Sequence, residues 1–323
     1  MSNQISKATK RTVNWQKKII DILLKYNMFF MLIVLIVIST FLSSSFLTQN
    51  NIINILRQNV GLAIVSLGML FVILTGGIEL SVGSVAALGS VVCAALLVEG
   101  YNTVEAIIIT VLLGIIVGCI TGALVAFTKM APFVATLAMT TIARGIAYIV
   151  SNAGPIPTPS NTVDIINNAR VLSIPVIVIF GLFVIILFFI VHKYLSFGRL
   201  LIAIGSNEQA VKYSGVRVNT IKYGAYVLCG LCAIIAGIIS TIRTYSGSPI
   251  VGQGMELDAI AAVVIGGGRL SGGKGYVLRT IVGVFILALI GNIMNLVGVP
   301  VYPQQILKGV IIIAAVLMQG ANK

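Results

Sequence analysis

The chain has 323 residues, of which 58% are hydrophobic and 9% charged, and its mean hydropathy is +1.09. Ordinary soluble domains carry about 25% charged residues, so the composition excludes a water-soluble globular protein and marks an all-α, polytopic membrane protein. The formal charge of +13 does not argue for a nucleic-acid partner, because basic residues in membrane proteins record topology.

Residues 1–27 form a polar, basic tail carrying Lys7, Lys10, Arg11, Lys17, Lys18 and Lys25. The apolar run after it, Met28 to Leu47, has no small-residue cleavage pattern and is long enough to span, so it reads as a retained first helix and not as a cleaved signal. Within the tail, Trp15 to Leu24 is either a short amphipathic surface helix or part of a disordered segment. Further along, Ala106 to Phe127, Leu172 to Val191, Tyr223 to Ile242 and Tyr276 to Val297 are clear spans, the last carrying Arg279 near its start. Gly61 to Leu74, Val82 to Val98, Phe133 to Val150, Leu257 to Ile265 and Ile306 to Met318 are shorter or interrupted, which brings the expected number of spans to about ten.

Placing the N-terminal tail and the basic loop of Lys193, Arg199, Lys212, Arg217 and Lys222 in the cytoplasm puts about 16 of the 21 basic residues inside, as the positive-inside rule requires. Both termini are then cytoplasmic, and Glu99, Glu105, Asp164 and Glu256 fall in or beside outward loops.

The apolar pattern is broken twice in the same way. Gly76-Gly77-Ile78-Glu79-Leu80-Ser81 lies between two hydrophobic segments, and Gly266-Gly267-Gly268-Arg269-Leu270-Ser271 repeats its Gly-Gly-x-charged-Leu-Ser pattern. Freed backbone groups and an unpaired carboxylate are costly at membrane depth, so like-placed breaks predict a moving part or solute path in two pseudo-symmetric halves, here a parallel repeat. For Glu79 two readings stand side by side: an ion pair with Arg269 or Arg144 that locks the halves, or a carboxylate accepting amide bonds where a helix starts near Val82.

Gly114, Gly118 and Gly122 lie on one helix face and let another backbone approach, within the subunit or at a dimer seam. In the loop Lys193 to Lys222, Ser206 and Gln209 read as a capping box and Gly215 as a left-handed closing residue, enclosing a two-turn helix over Asn207 to Ser214. Such a helix is too short to be stable alone; it packs on its own membrane domain or docks on a partner protein. Gly268 to Gly275 nearly matches a phosphate-binding loop, but Gly275 stands where a hydroxyl is needed, and the segment reads as a cytoplasmic turn. Cys229 and Cys232 have CxxC spacing without further ligands. With His192 the single histidine, the thiols Cys93, Cys119, Cys229 and Cys232 read as small apolar groups and no metal site is expected.

Four blocks carry a family resemblance: Leu74 to Ser84, Pro132 to Gly145, Gly198 to Val216 and Glu256 to Gly275. In their order and spacing they resemble the permease subunits of ribose-type ABC sugar importers, over about Asn51 to Met318. The resemblance implies a permease domain over 28–319 with its cytoplasmic coupling loop at 193–222 and a short tail at 320–323. Partners implied are an ABC ATPase, which uses ATP and magnesium, an extracytoplasmic sugar-binding protein, and a second permease copy or homologue. No cofactor is implied on this chain. Gly205, Asn207, Glu208, Ala210, Ser214 and Gly215 fall in the family's coupling loop. Gly76, Gly77, Glu79, Ser81, Arg144, Asp258, Gly266, Gly267 and Ser271 fall in its signature blocks, although Glu79 stands where the family commonly has Asp and Arg269 replaces a small polar residue. Gln58, Asn59, Asn292, Asn295 and Gln304 are candidates for the path of a hydroxylated solute, or for bonds between helices. Importers of nucleosides or other hydroxylated solutes share these blocks. An ion-coupled transporter would need deep ionisable residues, for which Glu79, Arg144, Asp258 and Lys308 are the candidates, and an intramembrane enzyme would need a nucleophile and base that the sequence does not supply.

Overall fold

The computed structural model describes residues 27–128 and 130–321. The segment Trp15 to Leu24 and the last two residues lie outside them. The described residues form an all-α structure: α1 (Asn27–Leu42), α2 (Gln49–Leu74), α3 (Val82–Val98), α4 (Thr103–Ala126), α5 (Pro132–Val150), α6 (Ser160–Asn168), α7 (Val176–Tyr194), α8 (Ser196–Ser206), α9 (Glu208–Tyr213), α10 (Val218–Thr244), α11 (Met255–Ile265), α12 (Val277–Leu296) and α13 (Val301–Ala321). Two small antiparallel ribbons complete it, β1 (Ile156–Pro157) with β4 (Ser246–Gly247) and β2 (Arg170–Val171) with β3 (Ile174–Pro175).

Among the described residues six helices, α2, α4, α5, α7, α10 and α12, are long and apolar enough to cross a bilayer. The short apolar window at Gly61 belongs to a 26-residue helix, because Thr48 caps its start by accepting from the Asn51 amide and the polar stretch from Gln49 continues the same turns. Conversely, the window from Leu172 loses its first residues. Leu172 and Ser173 take positive φ values of 49° and 67° as the two-residue turn between β2 and β3, the turn type that suits strand twist. α3 and α11 have 17 and 11 residues, so α11 extends only about 16 Å against a hydrocarbon layer of about 30 Å. Each follows an irregular stretch, residues 76–81 and 248–254.

The core is built around α10, whose neighbours are α2, α3 and α4. In lipid there is no hydrophobic drive between helices, so close packing must come from small residues. Gly114, Gly118 and Gly122 of α4 meet Ile234, Val227 and Tyr223 of α10, and Gly230 of α10 faces the Gly118 backbone in return. The glycine stripe therefore packs within the subunit. On the opposite flank Gly237 lies against the backbone of Ala86 and Ser90 in α3. There the Ser90 and Thr241 hydroxyls bond at 2.8 Å, and the Ser248 amide donates to Ser90 Oγ at 3.2 Å. Cys229 and Cys232 are buried and pack on Gly68 of α2.

A Cβ at Gly118 would stand 2.9 Å from Val227 Cα, whereas Gly291 of α12 has open space. Gly118→Val is therefore expected to lose about 1–3 kcal/mol by overpacking and Gly291→Ala none. Thermal unfolding of the detergent-purified chain checks the difference.

Candidate functional site

The two Gly-Gly turns are helix endings of one kind. After α2, Gly76 takes φ +80°, its amide bonding to Ile73 O and that of Gly77 to Val72 O; after α11, Gly267 takes φ +81°, its amide bonding to Val264 O and that of Gly268 to Val263 O. These nested bonds close a helix through a left-handed residue that only glycine adopts without strain. The left-handed glycine is the first of the pattern in one turn and the second in the other. The letter-for-letter match is thus out of register by one residue, and Glu79 and Arg269 are not equivalent.

Their surroundings differ accordingly. Glu79 is 3% exposed, and its Oε1 accepts from the Ser81 amide at 2.8 Å and the Ser81 hydroxyl at 2.6 Å, just ahead of the α3 N-terminus. The helix dipole favours a carboxylate there. Arg269 is exposed and Arg144 is bonded elsewhere, so neither forms the ion pair weighed for Glu79; the two ion pairs among the described residues are Lys222–Glu208 and Lys308–Asp258. Ser271 is exposed, while Gly266 is buried against the Arg279 and Thr280 backbone.

The turns touch each other and the end of α8. A Cβ at Gly205 would collide with Leu74 O and the Gly273 amide; one at Gly272 would reach 2.8 Å from the Gly76 amide. The Gly273 amide donates to Leu74 O at 3.0 Å. Three chain segments, the ends of α2 and α8 and the loop before α12, thus meet backbone to backbone.

From this joint α9 projects. Its N-cap is Asn207, whose Oδ1 accepts from the Ala210 amide at 3.0 Å, whereas Ser206 Oγ bonds back to Ile202 O in α8. The capping box expected at Ser206 and Gln209 is therefore replaced by a single cap one residue later, because Ser206 is the last residue of α8, and the helix is Glu208–Tyr213. No residue of α9 is buried; Glu208, Ala210 and Ser214 are exposed, Tyr213 is 86% exposed, and Gly215 takes φ +82°. The Glu208–Lys222 pair at 2.6 Å ties α9 to α10.

The solute-path candidates gather at the opposite end of the bundle, mostly as braces. Asn292 of α12 and Asn51 of α2 exchange two amide bonds at 2.8 and 3.0 Å, Gln304 donates to Asn295 at 2.8 Å, and Asn59 bonds to its own helix at Ile55 O. Gln58 is exposed. Elsewhere the structure collects charges around α11: Asp258 holds Lys308 of α13 at 2.8 Å, and Arg144 of α5 holds the stretch before α11 through Pro249 O and Val251 O at 2.6 and 2.8 Å. The sequence reading missed Tyr226, fully buried in α10, whose hydroxyl has no hydrogen-bond partner among the described residues and stands over the bare Cα of Gly77.

Residues 51–316 match the family described as branched-chain amino acid transport system, permease component. This chain belongs to that family. It is 41% identical over 297 residues to the ribose import permease protein RbsC of Escherichia coli (strain K12), covering 90% of this chain and 92% of that protein. The ribose import permease protein RbsC of Bacillus subtilis (strain 168) is 42% identical over 297 residues, covering 91% and 92%, and the D-allose transport system permease protein AlsC of Escherichia coli (strain K12) is 37% identical over 298 residues, covering 91% of each. No solved structure matches the chain. Family members of this kind are transport components, and the chain is one of them.

Gly205→Ala is expected to push Leu74 and Gly273 apart. Hydrogen exchange at the Gly273 amide should quicken by about tenfold, the scale of one weakened hydrogen bond; unchanged exchange would mean that the joint yields without strain.

Proposed function

We propose that the chain is the membrane-spanning subunit of an ABC importer for ribose or a similar monosaccharide, worked by a separate ATPase docked on α9. The observation that carries this reading is α9 itself, a six-residue helix with no buried residue. A helix of that length is unstable alone in water; its Asn207 cap and its tie to α10 hold it in place and leave its outer face free for a partner, and its rigid joint to both glycine turns suits a part that receives a push. The substrate follows from the relatives named for ribose and D-allose import. A related importer for nucleosides or another hydroxylated solute is the alternative that the same fold would serve.

In this reading α9 and the basic residues near it face the cytoplasm, and the chain crosses the bacterial cytoplasmic membrane ten times. The crossings are the six long helices, α1, α13, and two composite ones in which an irregular stretch leads into α3 or α11. Both termini are cytoplasmic, and Gly76, Gly77, Gly266 and Gly267 mark related endings in two halves that are not copies in detail. The opposite face, with α6 and the two ribbons, receives the sugar-binding protein, and a second permease chain completes the pathway. Asn207, Glu208, Ala210, Ser214 and Gly215 present the coupling turn, with Gly205 wedging its base against the core. ATP and magnesium belong to the ATPase.

Coexpression with a partner ABC ATPase and a sugar-binding protein, followed by reconstitution, tests the reading. ATP-driven uptake of D-ribose should require all components, and Ala210→Asp together with Glu208→Lys should abolish copurification of the ATPase while leaving the amount of permease in the membrane unchanged. Solute accumulation by the permease alone on a proton or sodium gradient would refute it.

A further inference from the structure

Resting on the reading above, the structure also bears on where inside the bilayer the solute is held. α5 is a peripheral helix. Ala135, Ala143 and Ala147 form its buried stripe against α3, while side chains such as Leu137, Ile142 and Ile146 stay exposed. Into this outward surface is set Arg144. Its position in a 19-residue helix puts it about 18 Å from one end and about 9 Å from the other, inside the hydrocarbon layer by length alone.

Arg144 is held but not enclosed. Nη1 donates to Pro249 O and Val251 O, and Nε to Ser84 Oγ at 3.2 Å, while Nη2 makes no hydrogen bond to the described residues and the side chain is half-buried. Glu256, half-buried in the first turn of α11, lies within electrostatic reach of it, and Glu256 Oε2 stands beside Gly83 at the start of α3. Between Val251 and Glu256, Gln253 is exposed, and Tyr148 is 37% exposed one turn along α5. Charged groups on a membrane-facing surface are very expensive unless they look into water or protein. The exposed face of α4, by contrast, shows Ile108, Leu112 and Ile116 and no charge over those turns, as a lipid contact should.

We propose that Arg144, Gln253 and Glu256 form a hydroxyl-binding station for a sugar in transit, on a water-filled face that a second permease chain closes off from lipid. The chemistry fits a polyol. A sugar hydroxyl both donates and accepts, and the three side chains offer a guanidinium donor, an amide that does both and a carboxylate acceptor, with the ring of Tyr148 at hand for the apolar face of the sugar. The station is distinct from the amide braces at the far end, which bond to each other.

Cysteine accessibility in the assembled importer tests it, in proteoliposomes first shown to take up D-ribose on ATP addition, so that failure of the functional reading is seen before this question is put. In a Cys119→Ser background, Thr141→Cys and Tyr148→Cys flank Arg144 by one turn each way, and Ile116→Cys is the lipid-face control. A charged, water-soluble methanethiosulfonate should label positions 141 and 148 at least about tenfold faster than 116, and a membrane-dissolved maleimide should show the reverse order. In the same vesicles Gln253→Leu should lower D-ribose uptake by about fivefold, the scale of one solute hydrogen bond, with binding-protein-stimulated ATP hydrolysis retained. Labelling of 141 and 148 from the lipid phase alone, matching 116, overturns the proposal, and so does unchanged uptake in Gln253→Leu.

Discussion

Close backbone contact around α10 is the constraint on which the rest of this structure depends. Lipid gives helices no hydrophobic reason to associate, so the bundle is held where side chains are small enough for main chains to meet. Gly118 against Val227, Gly230 against Gly118 and Gly237 against Ala86 bring α4 and α3 onto opposite flanks of α10, and Gly68 brings α2 onto the Cys229 turn. Hydroxyls complete the joint at Ser90 and Thr241. With three neighbours fixed so tightly to one helix, the outer helices α5 and α7 can afford largely lipid- or partner-facing surfaces.

That rigid centre allows irregular backbone within the bundle. The stretches before α3 and α11 leave backbone groups without helical partners, which lipid would not tolerate. They are satisfied inside protein: Glu79 takes the Ser81 amide and hydroxyl, and Arg144 takes two carbonyls of residues 249 and 251. Glu79 and Arg144 thus each support a broken segment, in place of the direct Glu79–arginine pair that charge counting suggests.

Much of the architecture was legible in the sequence because membrane helices announce themselves by composition. The all-α class, the two glycine breaks, the glycine stripe of α4 and the exposed turn after α8 were visible as letters. What was not legible depended on which partner a group finds. Ser206 and Asn207 are both good caps, and α8 running on to Ser206 decides between them. The six-letter repeat looked like equivalence because a Schellman ending asks for glycine at one left-handed position and tolerates it beside that position, so two adjacent glycines conceal the register. Asn292 and Gln304 looked like solute ligands because an amide serves a sugar and another amide equally well. Glu256 was overlooked as a neighbour of Arg144 because the fold brings it there from more than a hundred positions away.

α10 begins just beyond the exposed turn and ends at Thr244, and the next residue, Tyr245, donates its hydroxyl to Asp164 of α6 at 2.7 Å on the far side. Its 27 residues make a rod of about 40 Å, so a tilt of about five degrees at one tip sweeps the other through about 3.5 Å. Because α3 and α4 are packed on its shaft, such a tilt carries them along, and the displacement at the far tip is enough to make or break a hydrogen bond. One unbroken helix gives both membrane surfaces a shared mechanical axis.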